Sequence, residues 1–341
     1  MNESPLPETM RAALYDQQGA YDAVYVGDIP RPVPGAQEVL LRVRAASLNG
    51  FDPMMLNGST QLRTPLPMIP LGDCAGEIAA LGAGVTGWSV GDRVCPHPFV
   101  AGEGMTGETR RGVAAEFAVF PAANLLRMPD SVSFAAAACL PIAYGTAHRM
   151  MLTRGAIQAG EKVLILGATG GVGICALELA KSAGCEVIAT GSADWKLAKL
   201  REIGADHVVN TETEDFEEAV RTLFGKPKMQ GGGGVDVVVN YIGGDTWVKS
   251  IRCLGRGGRL LTCGATAGYE PAEDIRYLWT YELNLLGANG FTPTDIEALL
   301  AMVAEQQLSP HIQQVGGLVE VGPFIRQLAD REVFGKLVIE P

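Results

Sequence analysis

The sequence contains no Cys-x-x-Cys pair: its seven cysteines, Cys74, Cys95, Cys139, Cys175, Cys185, Cys253 and Cys263, stand singly. Zinc knuckles, zinc ribbons and thioredoxin-type redox pairs need that spacing, so none is expected. An odd number of scattered thiols fits a reducing compartment, and a cytoplasmic location is expected. There is also no run of roughly 18 apolar residues, the length of a membrane helix; the longest stretch, Phe134–Tyr144, falls short of it. The opening MNESPLPETM lacks a basic start and an apolar stretch, so no signal peptide is read. Basic residues are scarce, with 27 Lys and Arg against 38 Asp and Glu and a formal charge of −11. Such a surface repels phosphodiester backbones, so neither nucleic acid nor membrane is expected as a partner, while a local basic pocket could still take a small anion. Charged residues reach only 19% and apolar residues 47% of the 341, which excludes an extended disordered chain and suits two domains. Glycine is plentiful at 43 residues but lacks the three-residue period of collagen.

Two textures follow one another along the chain. Up to about residue 140, short apolar runs such as Val39–Ala45, Cys74–Leu81, Gly91–Cys95 and Ala115–Val119 are punctuated by prolines, as in a mostly-β domain. From Gln158 strands and helices alternate. Lys162–Leu166, Glu186–Thr190, His207–Asn210, Val235–Ile242, Arg259–Cys263 and Leu283–Ala288 read as strands. Val172–Ala183, Asp194–Ile203, Asp215–Phe224 and Asp245–Leu254 read as the helices between them. That alternation predicts an α/β unit around a parallel sheet. The last part reads as helix (Thr294–Gln306), loop, helix (Val321–Asp330) and strand (Lys336–Ile339).

The strand Lys162–Leu166 runs into Gly167-Ala168-Thr169-Gly170-Gly171-Val172-Gly173 and then a helix. Read as Ala-x-Gly-x-x-Gly, this is a dinucleotide fingerprint. Gly170 lets the backbone approach a pyrophosphate, Gly173 lets the helix pack on the strand, and the helix N-terminus offers free N–H groups. Thr169, Gly170, Gly171, Val172 and Gly173 are therefore candidate cofactor-binding residues. At the tip of the second strand, Ala189-Thr190-Gly191-Ser192, there is no acid to hold a ribose 2′-hydroxyl. Ser192 and Lys196 could hold a 2′-phosphate instead, which points to NADPH; Asp194 opposes this. The competing reading makes Ser192 a helix cap and Lys196 a solvated surface residue.

With Gly91-Asp92-Arg93-Val94, Tyr144-Gly145-Thr146-Ala147, Gly257-Gly258-Arg259 and Phe334-Gly335-Lys336, the chain resembles the medium-chain dehydrogenase/reductase superfamily over residues 11 to 340. It looks most like the zinc-independent quinone-oxidoreductase and enoyl-reductase-like branch. The resemblance implies a GroES-like, mostly-β substrate domain from residues 1–142 and 291–341. A doubly wound Rossmann sheet over 143–290 is inserted in it, with a cleft at the junction and homodimerisation through the nucleotide domains. It also implies that Cys263, Gly264, Ala265 and Thr266, with Ala288, Asn289 and Gly290, line the nicotinamide. Gly243 would lie near the adenosine half and Lys336 near the pyrophosphate.

Zinc alcohol dehydrogenases of this superfamily present a Cys, a Gly-His-Glu segment and a later Cys or Asp. Here Asn49 stands at the first position, Leu71-Gly72-Asp73-Cys74 at the second and Cys139 near the third. That set does not supply a zinc site, and no metal is expected. Without a Lewis acid a plain alcohol is hard to activate, whereas a conjugated carbonyl needs only hydrogen-bond donors for its enolate. The sequence therefore predicts an NADPH-dependent oxidoreductase delivering hydride to an activated C=C (enal, enone, enoyl thioester) or a quinone. Asn49, as an oxygen or ribose contact and so also a cofactor-binding candidate, and Tyr144 are the catalytic candidates, with water as another proton source; Asp52, His97 and Arg63 have bland readings as a loop tie and surface residues. The loop Asn57–Arg63 lacks the tyrosine that enoyl reductases often carry there. Two other readings stand beside this one: an alcohol dehydrogenase or carbonyl reductase of the same superfamily, and a non-catalytic NADPH-binding protein.

Overall fold

The structure, a computed structural model, describes residues 6–60 and 62–341, so Gln61 of the loop just named lies outside the described residues. These divide into two compact units: the chain up to Ile142 together with Thr292–Pro341, and Ala143–Phe291.

In the second unit six strands form one parallel sheet. Across the sheet they lie in the order His207–Asn210, Glu186–Gly191, Lys162–Ile165, Val235–Val239, Leu254–Thr262, Asn284–Gly287. The third strand of the chain is outermost and the first is central, next to the fourth, which is the doubly wound order of dinucleotide-binding sheets. Val163–Ile165 and Val237–Val239 read as continuous apolar runs because helices cover both faces of such a sheet, and Val163, Leu164, Ile165, Val237, Val238 and Val239 are all fully buried. The helices between are Gly171–Ser182, Asp194–Glu202, Phe216–Phe224 and Thr246–Cys253. Asp215 caps one of them, its carboxylate accepting from the N–H groups of Glu217 and Glu218.

In the first unit a seven-stranded sheet runs Ile312–Gly316, Lys336–Ile339, Glu38–Ser47, Asp73–Leu81, Arg93–Pro96 and Leu125–Arg127, with Phe117–Pro121 also paired to Glu38–Ser47. Its core gathers Leu40, Leu41, Phe120, Phe324 and Leu337. Lys336–Ile339 thus lies between a neighbour near in sequence and one almost 300 residues earlier. In its antiparallel register Val338 faces Ser47 and Ile339 faces Ala46. Continued two residues on, past the bond from Leu48 N–H to the Leu337 carbonyl, this register sets Asn49 opposite Lys336.

Two stretches depart from the sequence reading. The loop expected between the last two helices contains the strand Ile312–Gly316. It pairs on one side only and carries Gln313, Gln314 and a half-exposed Val315, so it shows no apolar alternation. The run Phe134–Tyr144 folds as a short helix, Phe134–Ala138, capped by Ser133 and continued by a wide π-type turn over Leu140–Tyr144. No helix among the described residues is long and apolar enough to cross a membrane.

Candidate active site

The fingerprint turn has the geometry its glycines predict. Gly170 begins the helix in extended backbone, and a side chain there would meet nothing within 4 Å, so its face is open. Gly173 is the opposite case. A Cβ would sit 2.6 Å from Ala168 Cα and 2.7 Å from the Gly167 carbonyl, so only glycine allows the helix to approach the strand this closely. Gly167 is held from both sides: its N–H donates to Thr190 Oγ1 at 3.1 Å and its carbonyl accepts from Tyr241 Oη at 2.6 Å. Across the carboxyl ends of the later strands lies a cavity of about 510 Å³. Gly243, Gly264, Ala265, Ala288 and Asn289 line it, as expected for a ligand at this edge of a doubly wound sheet. Thr266 and Gly290 adjoin these residues in sequence without lining the cavity. The glycine cradle and this cavity fit an extended dinucleotide.

Ser192 is exposed and caps nothing: Ala193 begins the next helix without a side-chain cap. Lys196 is only 4% exposed, which rules out the solvated-surface reading, and its Nζ lies 5.3 Å from the Trp195 ring centre. Asp194, the acid that would oppose a phosphate here, accepts from Asn210 Nδ2 at 2.7 Å.

The first unit holds a buried polar cluster. Asn49 Nδ2 donates to Asp73 Oδ2 at 2.8 Å, and the Asn49 main-chain N–H donates to Asp52 Oδ2 at 2.7 Å. Lys336 Nζ donates to the Leu48 carbonyl at 2.5 Å and to Asn49 Oδ1 at 2.6 Å. Behind them the Ile142 N–H donates to both oxygens of Asp73, at 3.1 and 3.2 Å. Burial pushes the Asp52 carboxyl up to about 7 and that of Asp73 up to about 6, against the pull of the Lys336 charge on both. The folded chain therefore binds protons more tightly here than the unfolded chain does. Between about pH 4, where unfolded carboxyls titrate, and pH 7, stability falls as pH rises. Urea midpoints at pH 5 and pH 8 should show this slope, and Asp52→Asn should flatten it by about 2–4 kcal/mol; an unchanged slope would remove Asp52 as its source.

Two family models match the chain: an alcohol dehydrogenase GroES-like domain over residues 35–130 and a zinc-binding dehydrogenase over residues 171–305. The synaptic vesicle membrane protein VAT-1 homolog of Rattus norvegicus is 30% identical, over 97% of this chain and 84% of that protein. The medium-chain dehydrogenase/reductase superfamily includes this chain, within its quinone-oxidoreductase-like branch. The quinone oxidoreductase-like protein 2 of Bos taurus is 29% identical over 91% of this chain and 86% of its own length. A crystal structure of an NAD-dependent alcohol dehydrogenase superposes with a TM-score of 0.89, at 32% identity over 97% of this chain and all of that one. The seven-stranded sheet is thus a GroES-like domain, the parallel sheet its Rossmann partner, and binding of a nicotinamide cofactor is typical of the superfamily.

Zinc, which one family model carries in its name, does not suit the donors found at the superfamily's ligand positions. Both ends of the Asn49 amide are engaged, its oxygen by an ammonium. Burial pushes the Cys139 thiol up to about 12, so it keeps its proton. Zinc binds thiolate, imidazole and carboxylate, and a fixed lysine cation amid this set repels it.

Tyr144, a catalytic candidate from the sequence, is fully buried, and its carbonyl accepts from Cys175 Sγ. Lys336, which the resemblance places near the pyrophosphate, gives two donor bonds to the Leu48 carbonyl and Asn49 Oδ1. His97 is half-buried, with Nδ1 at 3.3 Å from the Phe99 carbonyl, and Arg63 is exposed. Sequence reading missed Asn240, fully buried, whose Oδ1 accepts from the N–H groups of Ile242 and Gly243 and so shapes the cavity wall. Its only signal is a lone amide directly after the valine run Val237–Val239.

Proposed function

We propose that the protein is an NADPH-dependent reductase that adds hydride to the electron-poor carbon of a conjugated carbonyl (enal, enone or enoyl thioester) or to a quinone, without zinc. The Asn49 cluster carries this reading. An amide whose oxygen faces a cation and whose nitrogen faces a carboxylate has one N–H left to donate, and its orientation is fixed. Such a donor stabilises negative charge gathering on a conjugated oxygen but cannot deprotonate a plain alcohol. NADPH, when bound, supplies the hydride. Thr169–Gly173 and the helix behind them would hold its pyrophosphate, the cavity edged by Ala265 and Ala288 its nicotinamide, and Ser192 with Lys196 its 2′-phosphate. Its substrate is a small molecule, and the working form is a homodimer in the cytoplasm.

The test is NADPH oxidation across enals, enones, acyl thioesters and quinones, with simple primary alcohols and NADP⁺ as the opposing arm. Turnover on at least one conjugated acceptor is expected. Efficient alcohol oxidation without any such turnover would instead favour the alcohol dehydrogenase reading, and cofactor binding with no turnover a non-catalytic protein. The same assay reads the cofactor: Lys196→Ala should raise KM for NADPH about tenfold while leaving NADH nearly untouched, and equal effects on both would remove the phosphate role.

A further inference from the structure

Asn49, at the first of the positions that carry zinc ligands in metal-dependent members, meets a cation and not a metal. Lys336 Nζ hydrogen-bonds Asn49 Oδ1 at 2.6 Å, and Asn49 Nδ2 in turn donates to Asp73 Oδ2 at 2.8 Å, in the second ligand segment. Lys336 is 2% exposed, and the strand register described above delivers it there from the far end of the chain. An amide side chain has two ends of nearly equal shape, and only its partners decide which is oxygen. An ammonium can only donate and an ionised carboxylate only accept, so Lys336 and Asp73 together permit a single orientation of Asn49.

We infer that the Lys336 ammonium stands in the place of the metal, turning the Asn49 oxygen inward and supplying the positive charge behind the N–H that meets a substrate oxygen. This rests on the reading of Asn49 as the oxygen-binding group. Lys336 is a positioning residue, acting through one amide. The fixed charge polarises that amide and makes its N–H a stronger donor. A metal would touch the substrate oxygen directly. An ammonium one amide away is a milder electrophile, suited to a carbonyl whose conjugation already spreads the incoming charge.

Two experiments test the assignment. Lys336→Met should lower kcat about a hundredfold on whichever acceptor the wild type reduces, with the Kd for NADPH within about threefold. Lys336→Arg, which keeps the charge, should recover part of the loss, and thermal melting checks that each variant folds. A Kd for NADPH weakened about tenfold with kcat retained would return Lys336 to the pyrophosphate and overturn the inference. The second experiment needs no substrate. Asn49→Cys combined with Lys336→Ala should bind cobalt(II) and show a thiolate charge-transfer band, whereas Asn49→Cys alone, with the ammonium still in place, should not. Cobalt taken up equally by both variants, or by neither, overturns it. Because this pair reads occupancy of the site and not turnover, a wild type that reduces no acceptor would defeat the proposed function while leaving the Lys336 assignment to stand or fall separately.

Discussion

Gly173→Ala is expected to weaken NADPH binding at least about tenfold and to cost about 1–3 kcal/mol of stability, the usual range for overpacking a tight contact. The added methyl meets main-chain atoms of Gly167 and Ala168 at under 3 Å, and neither can rotate away. The helix must retreat from the strand, carrying with it the N–H groups proposed to hold the phosphates. Gly170→Ala is the informative control. It sits in extended backbone with open space around it, so the fold should keep its wild-type melting temperature while the methyl crowds the ligand. Titration calorimetry with NADPH and thermal melting on the two variants separate the roles. Equal melting temperatures for both would mean that the close approach at Gly173 is not needed for the fold.

Asn49→Ala is expected to lower turnover on an accepted enone or quinone about a hundredfold, the scale of losing one donor to a developing oxyanion. NADPH affinity should stay near wild type if the amide meets only the substrate oxygen, and should fall with turnover if it also holds the ribose. The substitution also leaves Lys336 without one acceptor and Asp73 without one donor, which should cost a further 1–3 kcal/mol or so of stability. Steady-state kinetics beside a melting curve distinguish the effects. A variant that melts early but turns over normally would make Asn49 a purely structural amide.

Much of the second unit is legible from local pattern. The strands Lys162–Ile165 and Val235–Val239 are dominated by the apolar runs Val163–Ile165 and Val237–Val239, and the fingerprint glycines mark the turn between the first strand and its helix. The strand His207–Asn210 and the last strand, Lys336–Ile339, fall on the residues the sequence predicts. What stays hidden comes from pairing over distance. Nothing near Lys336 in sequence announces that it will face Asn49, because that meeting depends on the register of two strands far apart in the chain. The burial of Lys196 is hidden for a similar reason, since a lysine one turn into a polar helix reads as solvated unless its neighbours from other segments are known. The burial of Tyr144 is equally hidden: next to a domain boundary a tyrosine suggests a cleft, yet at the end of the π-type turn it is fully buried.

The inner position of Lys336–Ile339 in its sheet also bears on synthesis. At bacterial or eukaryotic ribosomal rates of roughly 5–20 residues per second, the partner strand Glu38–Ser47 emerges on the order of 15–60 s before the segment that must lie against it. During that interval the whole parallel sheet leaves the ribosome and can fold, while the other sheet lacks the strand that pairs with Ala46 and Ser47. The nascent chain can thus hold a nucleotide-binding unit before it holds a complete chemical centre, with Asn49 waiting on a lysine not yet translated.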